Sequence, residues 1–208
     1  MTAAANKRIG IMGGTFDPIH NAHLSLGRCA KAELQLDEVW FMPAGDPYLK
    51  HSRKVSSATD RAAMTALAIE GQPGFRLSCM EMERTGETYT SETLQLLHAR
   101  FPETHFYFIL GSDSLYQIER WHAPETILQL ATLVAARREY ADRPRSFQEQ
   151  VRYLETRYGA AIAPLSFEET DISSTEIRAR VARGEDISAL VPNAVSEYIK
   201  EHRLYVEN

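Results

Sequence analysis

The chain has 208 residues, 44% apolar and 25% charged, the balance of an ordinary folded protein able to bury a core without metal or disulfide staples. Acidic residues outnumber basic ones 28 to 23, for a formal net charge of -5, and no Lys/Arg cluster stands out. This argues against a broad nucleic-acid or anionic-membrane surface. Cys29 and Cys79 form no CxxC pair, which favours a reducing compartment and argues against structural zinc. The apolar stretch at 9–12 is interrupted by Gly10 and stops at Gly13, short of the roughly 7 to 15 residues of a signal-peptide core. The densest apolar run, 106–110, is strand-sized. A cytoplasmic protein without nucleic-acid or membrane partners is the expectation.

In chain order, the pattern predicts a strand over 8–12, a helix over 21–34, a strand over 38–42, a helix over 59–70 and a strand over 75–79. A helix over 91–100, a strand over 105–110, a helix over 124–131, a strand over 132–136, a helix over 147–158 and a strand over 161–165 follow. In the second helix Met64, Leu67 and Ala68 fall at i, i+3, i+4, and Ser57 with Asp60 makes a capping box. Strands separated by helices imply βαβ units and right-handed crossovers. The fold class is therefore α/β, a doubly wound parallel sheet. After Leu165 two helices come in succession, over 173–183 and 193–202, and residues 172–208 read as a small helical tail on a single domain spanning 1–208. The stretch 44–57, with its turn residues and its basic and His side chains, is the best candidate for a mobile loop.

In such folds ligands bind beyond the carboxyl ends of the strands, so the segment after the first strand is the first place to look for chemistry. It reads Gly13-Gly14-Thr15-Phe16-Asp17-Pro18-Ile19-His20-Asn21-Ala22-His23. Two glycines let backbone amides approach an anion, and a helix start adds partial positive charge aimed the same way. His20 and His23, three apart, would share one face of the opening turn and donate to phosphate oxygens as a phosphorus–oxygen bond breaks. Read alone, a pair at this spacing is more often two ordinary surface or capping histidines, and the glycines before it favour the functional reading. Zinc would need third and fourth ligands, and none is evident. Neither GxxxxGK[ST] nor GxGxxG occurs in the chain.

Downstream, Ile172-Ser173-Ser174-Thr175-Glu176-Ile177-Arg178 opens another helix with hydroxyls in its first turn and an arginine one turn in. Hydroxyls, helix-start amides and a guanidinium fork suit a second phosphate site. Plain N-capping is the alternative.

Together, GGTFDPIHNAH and ISSTEIR resemble the two signature motifs of the (H/T)xGH nucleotidyltransferase superfamily, whose fold is a Rossmann-like, HUP-type sheet. Within it the chain is similar, from Arg8 to the ending LVPNAVSEYIKEHRLY, to bacterial nicotinate mononucleotide adenylyltransferases. That resemblance implies ATP and nicotinate mononucleotide as ligands, nicotinate adenine dinucleotide and pyrophosphate as products, and Mg2+ carried in with ATP, within NAD biosynthesis. It implies an ATP site of Gly13, Gly14, Thr15, Phe16, His20, His23, Ile172, Ser173, Ser174, Thr175 and Arg178. His20, His23 and Arg178 would carry catalysis, and no dedicated metal ligands are implied. Asp17, Lys50, Tyr89, Thr90, Gly111, Asp113, Trp121 and Arg138 would bind the acceptor. Thr88-Tyr89-Thr90 would lie near the nicotinate carboxylate, Gly111-Ser112-Asp113 near the ribose, and Trp121 would stack on the pyridine ring. Read without the family, these are helix caps and a core tryptophan.

The family's glycine in HxGH is Ala22 here. Where relatives often show PPHK, this chain has Pro47-Tyr48-Leu49-Lys50 followed by His51, and where they often show RPGY it has Arg138-Glu139-Tyr140. Phosphopantetheine adenylyltransferases of the same superfamily tend to be shorter and carry Thr where this chain has His20. A regulator that holds a nucleotide without turnover is the alternative from another class, to be separated by pyrophosphate release. A homo-oligomer is left open by the sequence.

Overall fold

Four consecutive residues of β1 (Arg8–Gly14), from Ile9 to Met12, are buried, as expected of a strand covered on both faces of a parallel sheet. The computed structural model describes residues 6–45, 55–137, 144–168 and 171–206. After β1 come α1 (Asn21–Glu33), β2 (Glu38–Pro43), α2 (Ala58–Ile69), β3 (Phe75–Leu77), α3 (Thr90–Arg100), β4 (His105–Leu110), α4 (Ser112–Gln117), α5 (Pro124–Leu130) and β5 (Thr132–Arg137). The chain continues through α6 (Phe147–Tyr158), β6 (Ile162–Glu168), α7 (Ser174–Ala182) and α8 (Asn193–Glu201). The strands form one six-stranded parallel sheet in the order β3-β2-β1-β4-β5-β6. The order reverses at β1 and β4, which pair from Arg8 opposite His105 to Ile11 opposite Phe108.

Every predicted strand and helix is present; the strand 105–110 and the helix 147–158 match at both ends, and no other end is displaced by more than three residues. Among the described residues the helix not expected from the sequence is α4, continued by a 3-10 turn, Ile118–Arg120. Six residues are too few for an apolar period to show, although Leu115 and Ile118, three apart, are fully buried. Ser57 caps α2 with half of the expected capping box: its Oγ accepts from the amide of Asp60 at 3.0 Å and donates to its carboxylate at 2.6 Å, while the reciprocal box forms at Ser146 and Glu149 on α6.

The described residues fall into two compact units. One draws on Met1–Gly13, Leu26–Trp40 and Tyr89–Glu169. Its core holds Ile9, Phe106, Ile109, Leu133, Val134 and Leu154, each at most 2% exposed. The other draws on Gly14–Ser25, Phe41–Thr88 and Thr170–Asn208. Here α8 lies against α2, the Tyr198 hydroxyl donates to Asp60 at 3.0 Å, and the rings of Phe41 and Phe75 meet at 4.8 Å. The helices expected as a tail thus belong to the unit that carries the segment after β1. Among the described residues no helix is long and apolar enough to cross a membrane.

Candidate active site

Gly13 and Gly14 do not begin a loop, as the sequence suggested; they are the last two residues of β1. A Cβ on Gly14 would lie 3.0 Å from Cε1 of Phe16, so the missing side chain makes room for an aromatic ring. Phe16 takes a left-handed conformation at φ 50, sparsely populated by non-glycine residues and commonest where surroundings impose it. Its buried ring meets His23 edge-on, with centroids 5.1 Å apart.

The two histidines do come together: their rings stack at 3.7 Å between centroids and 25° between planes. His20 sits just before α1, and its carbonyl accepts from the amides of His23 at 3.0 Å and Leu24 at 3.4 Å, so it caps the helix instead of occupying its first turn. The His20 amide donates to Nδ1 of His23 at 3.2 Å. An amide can only donate, so this nitrogen is the acceptor, and neutral His23 carries its proton on Nε2. His20 is 5% exposed, and its own Nδ1 is buried without a hydrogen-bond partner among the described residues. Burial pushes its pKa from 6.5 down to about 4, so it is neutral near pH 7. The Asn21 amide is engaged by the carbonyl of Leu190 at 2.9 Å. The helix start therefore offers an anion fewer amides than the sequence suggested, and the imidazoles matter more.

The second motif lies against the first. Ser173 is the N-cap of α7, its Oγ accepting from the Glu176 amide at 3.2 Å. Half-buried Ile172 precedes it. The Ser174 hydroxyl donates to the carbonyl of Pro18 at 3.0 Å. Arg178 donates to the carbonyl of Asp17 and, at 3.2 Å, to the hydroxyl of Thr175. Ser173 thus does the plain capping work, while Ser174 and Arg178 bind the two motifs together.

Asp17 is a hub. Only 4% exposed, its carboxylate receives the Tyr205 hydroxyl at 2.8 Å and the Ser56 amide at 3.4 Å, and lies 4.0 Å from the Arg178 guanidinium. Arg61, on α2, is 2% exposed. Its guanidinium reaches the carbonyls of Thr15 at 2.9 Å, Ala44 at 2.7 Å, Gly45 at 2.9 Å and Ser56 at 3.1 Å. Neither Arg61 nor Tyr205 was singled out in the sequence. For Arg61 a signal existed: it falls on the buried face of α2 with Met64, Thr65 and Ala68, where an unexplained charge asks for partners.

In the other unit, Tyr89 is the N-cap of α3 without a side-chain cap bond, and Thr90 opens the helix. The Tyr89 ring stacks on His122 at 4.2 Å, whose Nδ1 lies 3.2 Å from the Ser91 hydroxyl. Gly111 is the N-cap of α4 and Asp113 stands exposed in its first turn. Trp121 is half-buried rather than a core residue and meets Phe108 edge-on at 6.0 Å. Thr88, buried and in the unit that carries the segment after β1, is hydrogen-bonded to Glu81 at 3.4 Å. Lys50 and Arg138 lie outside the described residues, as do 47–51 and 138–140. Among the described residues no three His, Cys, Asp or Glu side chains are grouped so as to hold a metal.

The chain as a whole is similar to known proteins. A family model described as cytidylyltransferase-like covers residues 11–180. A probable nicotinate-nucleotide adenylyltransferase of Dehalococcoides mccartyi is 43% identical over 201 residues, 95% of this chain and 97% of the relative. One from Lactiplantibacillus plantarum is 39% identical over 208 residues, 100% of this chain and 92% of the relative. Among solved structures, the Plasmodium falciparum nicotinic acid mononucleotide adenylyltransferase complexed with NaAD shares the fold. Its TM-score is 0.77 at 22% identity, covering 96% of this chain and 98% of that one. By its length, its motifs and its likeness to these relatives along nearly the whole chain, this protein belongs to the nicotinate-nucleotide adenylyltransferase family of cytidylyltransferase-like enzymes.

Proposed function

We propose that the chain transfers the adenylyl group of ATP to nicotinate mononucleotide, releasing pyrophosphate and forming nicotinate adenine dinucleotide for NAD synthesis. The observation that carries this reading is the stacked His20–His23 pair, with Arg178 tied to the same segment, in a chain about 40% identical to such enzymes. A phosphate oxygen of the mononucleotide attacks the α-phosphorus of ATP, and the bond to the bridging oxygen of pyrophosphate breaks. The nucleophile is already an anion, so positioning and neutralisation of developing charge suffice. His23 donates from Nε2, neutral His20 supplies a second imidazole, and Arg178 brings a full positive charge. ATP enters with Mg2+ on its phosphates, as MgATP.

For the acceptor, Trp121 provides an aromatic face for the pyridine ring. Tyr89 and Thr90 serve the nicotinate carboxylate, Gly111 and Asp113 serve the ribose, and Lys50 and Arg138 serve the phosphate. Asp17 serves the acceptor through the segment it anchors, since its carboxylate is engaged by Tyr205, Ser56 and Arg178. Free Cys29 and Cys79 fit the cytoplasm, where thiols stay reduced.

The test is to mix the protein with MgATP and a panel of phosphorylated acceptors while following pyrophosphate. Turnover with nicotinate mononucleotide, confirmed by recovery of the dinucleotide, supports the proposal. Turnover only with phosphopantetheine, or nucleotide binding without pyrophosphate release, refutes it.

A further inference from the structure

We infer that Tyr205, close to the end of the chain, is a positioning residue for adenylyl transfer that acts through the Asp17 carboxylate on Arg178. The inference rests on the function proposed above. Tyr205 stands beyond α8, 188 positions from Asp17, and its hydroxyl donates to Oδ1 of Asp17 at 2.8 Å. A hydroxyl has one proton. The Ser56 side chain acts on the tyrosine oxygen as a donor, and the acceptor Sδ of Met64 is 3.9 Å away, so the proton goes to the carboxylate, where the bond is charge-assisted.

The geometry around Asp17 gives that bond its consequence. Among the described residues Oδ2 receives only the long 3.4 Å contact from the Ser56 amide, and it faces Arg178 at 4.0 Å. The Arg178 guanidinium donates instead to the main-chain carbonyl of Asp17 and to the Thr175 hydroxyl. With Oδ1 held by Tyr205, the carboxylate stands close enough to attract Arg178 without forming a forked pair with it. The guanidinium thus keeps charge available for a phosphate. Without the hydroxyl, a buried anionic oxygen loses its donor, and the nearest compensation is rotation of the carboxylate onto Arg178.

The backbone of Tyr205 is itself left-handed at φ 65, a conformation non-glycine residues hold only where their surroundings impose it. Burial and the neighbouring Asp17 charge raise the pKa of the hydroxyl, so it remains a donor throughout the working pH range.

Tyr205→Phe keeps the ring and removes only the donor. With MgATP and nicotinate mononucleotide, kcat is expected to fall about 10-fold or more, while KM for the mononucleotide stays within about twofold. In an Arg178→Ala background the same change is expected to cost less than about twofold, because the group it acts on is gone. A merely structural tyrosine would lower the thermal midpoint and add the same loss in both backgrounds. Equal losses in both, or wild-type kcat in Tyr205→Phe, overturn the inference while wild-type turnover leaves the proposed function standing. No product from the wild-type protein overturns both. Should Tyr205→Phe fold poorly, Asp17→Asn removes the charge the hydroxyl serves. Adding Tyr205→Phe to that variant is expected to leave kcat unchanged within about twofold, and a further 10-fold loss there overturns the inference.

Discussion

The main-chain amide of His20 points at Nδ1 of His23 from 3.2 Å, so one histidine of the pair sets the tautomer of the other. The arrangement fixes the proton of the neutral His23 ring on Nε2 before any ligand arrives. Preorganised donors of this kind lower a barrier because they need no reorientation as charge develops.

His23→Ala is accordingly expected to lower kcat by on the order of 10² or more with the fold retained. His23→Gln, whose amide can still present an N–H, should lose less. Steady-state pyrophosphate release together with circular dichroism checks both, and near-normal turnover in a folded His23→Ala protein would refute the role.

Stability should depend on pH through His20. Its folded pKa of about 4 lies below the ordinary 6.5, so between those values the unfolded chain binds a proton the native one does not. The contribution is complete above pH ~6.5, shrinks as pH falls, and is gone below pH ~4, amounting to at most about 3 kcal/mol. Urea unfolding at several pH values, for the wild type and for His20→Gln, should show a smaller acid-side loss in the variant. Identical slopes would mean that His20 titrates normally in the folded protein.

Trp121→Ala should weaken acceptor binding by about 1 to 3 kcal/mol and leave ATP affinity nearly unchanged, as loss of a stacking face requires. Separate dissociation constants for the two ligands decide the matter. Equal weakening of both would make Trp121 a packing residue for the unit around Phe108.

Arg61→Met replaces a guanidinium satisfied by four carbonyls with a side chain of similar length that donates nothing. The half-buried carbonyls of Thr15, Ala44, Gly45 and Ser56 lose their partner, and destabilisation of about 2 to 5 kcal/mol is expected. Arg61→Lys should recover only part, since a compact ammonium cannot span the same fork. Denaturant midpoints measure the difference, and a midpoint equal to wild type would show that the carbonyls find other donors.

The sequence on its own determined the alternation of strands and helices, the sheet class and the two motifs, because these are written in local periodicity and in residue types with few other uses. His20 and His23, three apart behind a strand, could be read as a pair for the same reason. Tertiary structure alone decided what each polar atom faces. Gly14 makes room for Phe16, the amides at the start of α1 are partly engaged, Ser173 caps while Ser174 bridges, and Asp17 holds Arg178 and Tyr205. Hydrogen-bond partners 161 and 188 positions apart leave no periodic trace in a chain, since their meeting depends on how the elements between them pack. Chemistry was therefore legible as residue types in the motifs, and orientation, tautomer and support only in three dimensions.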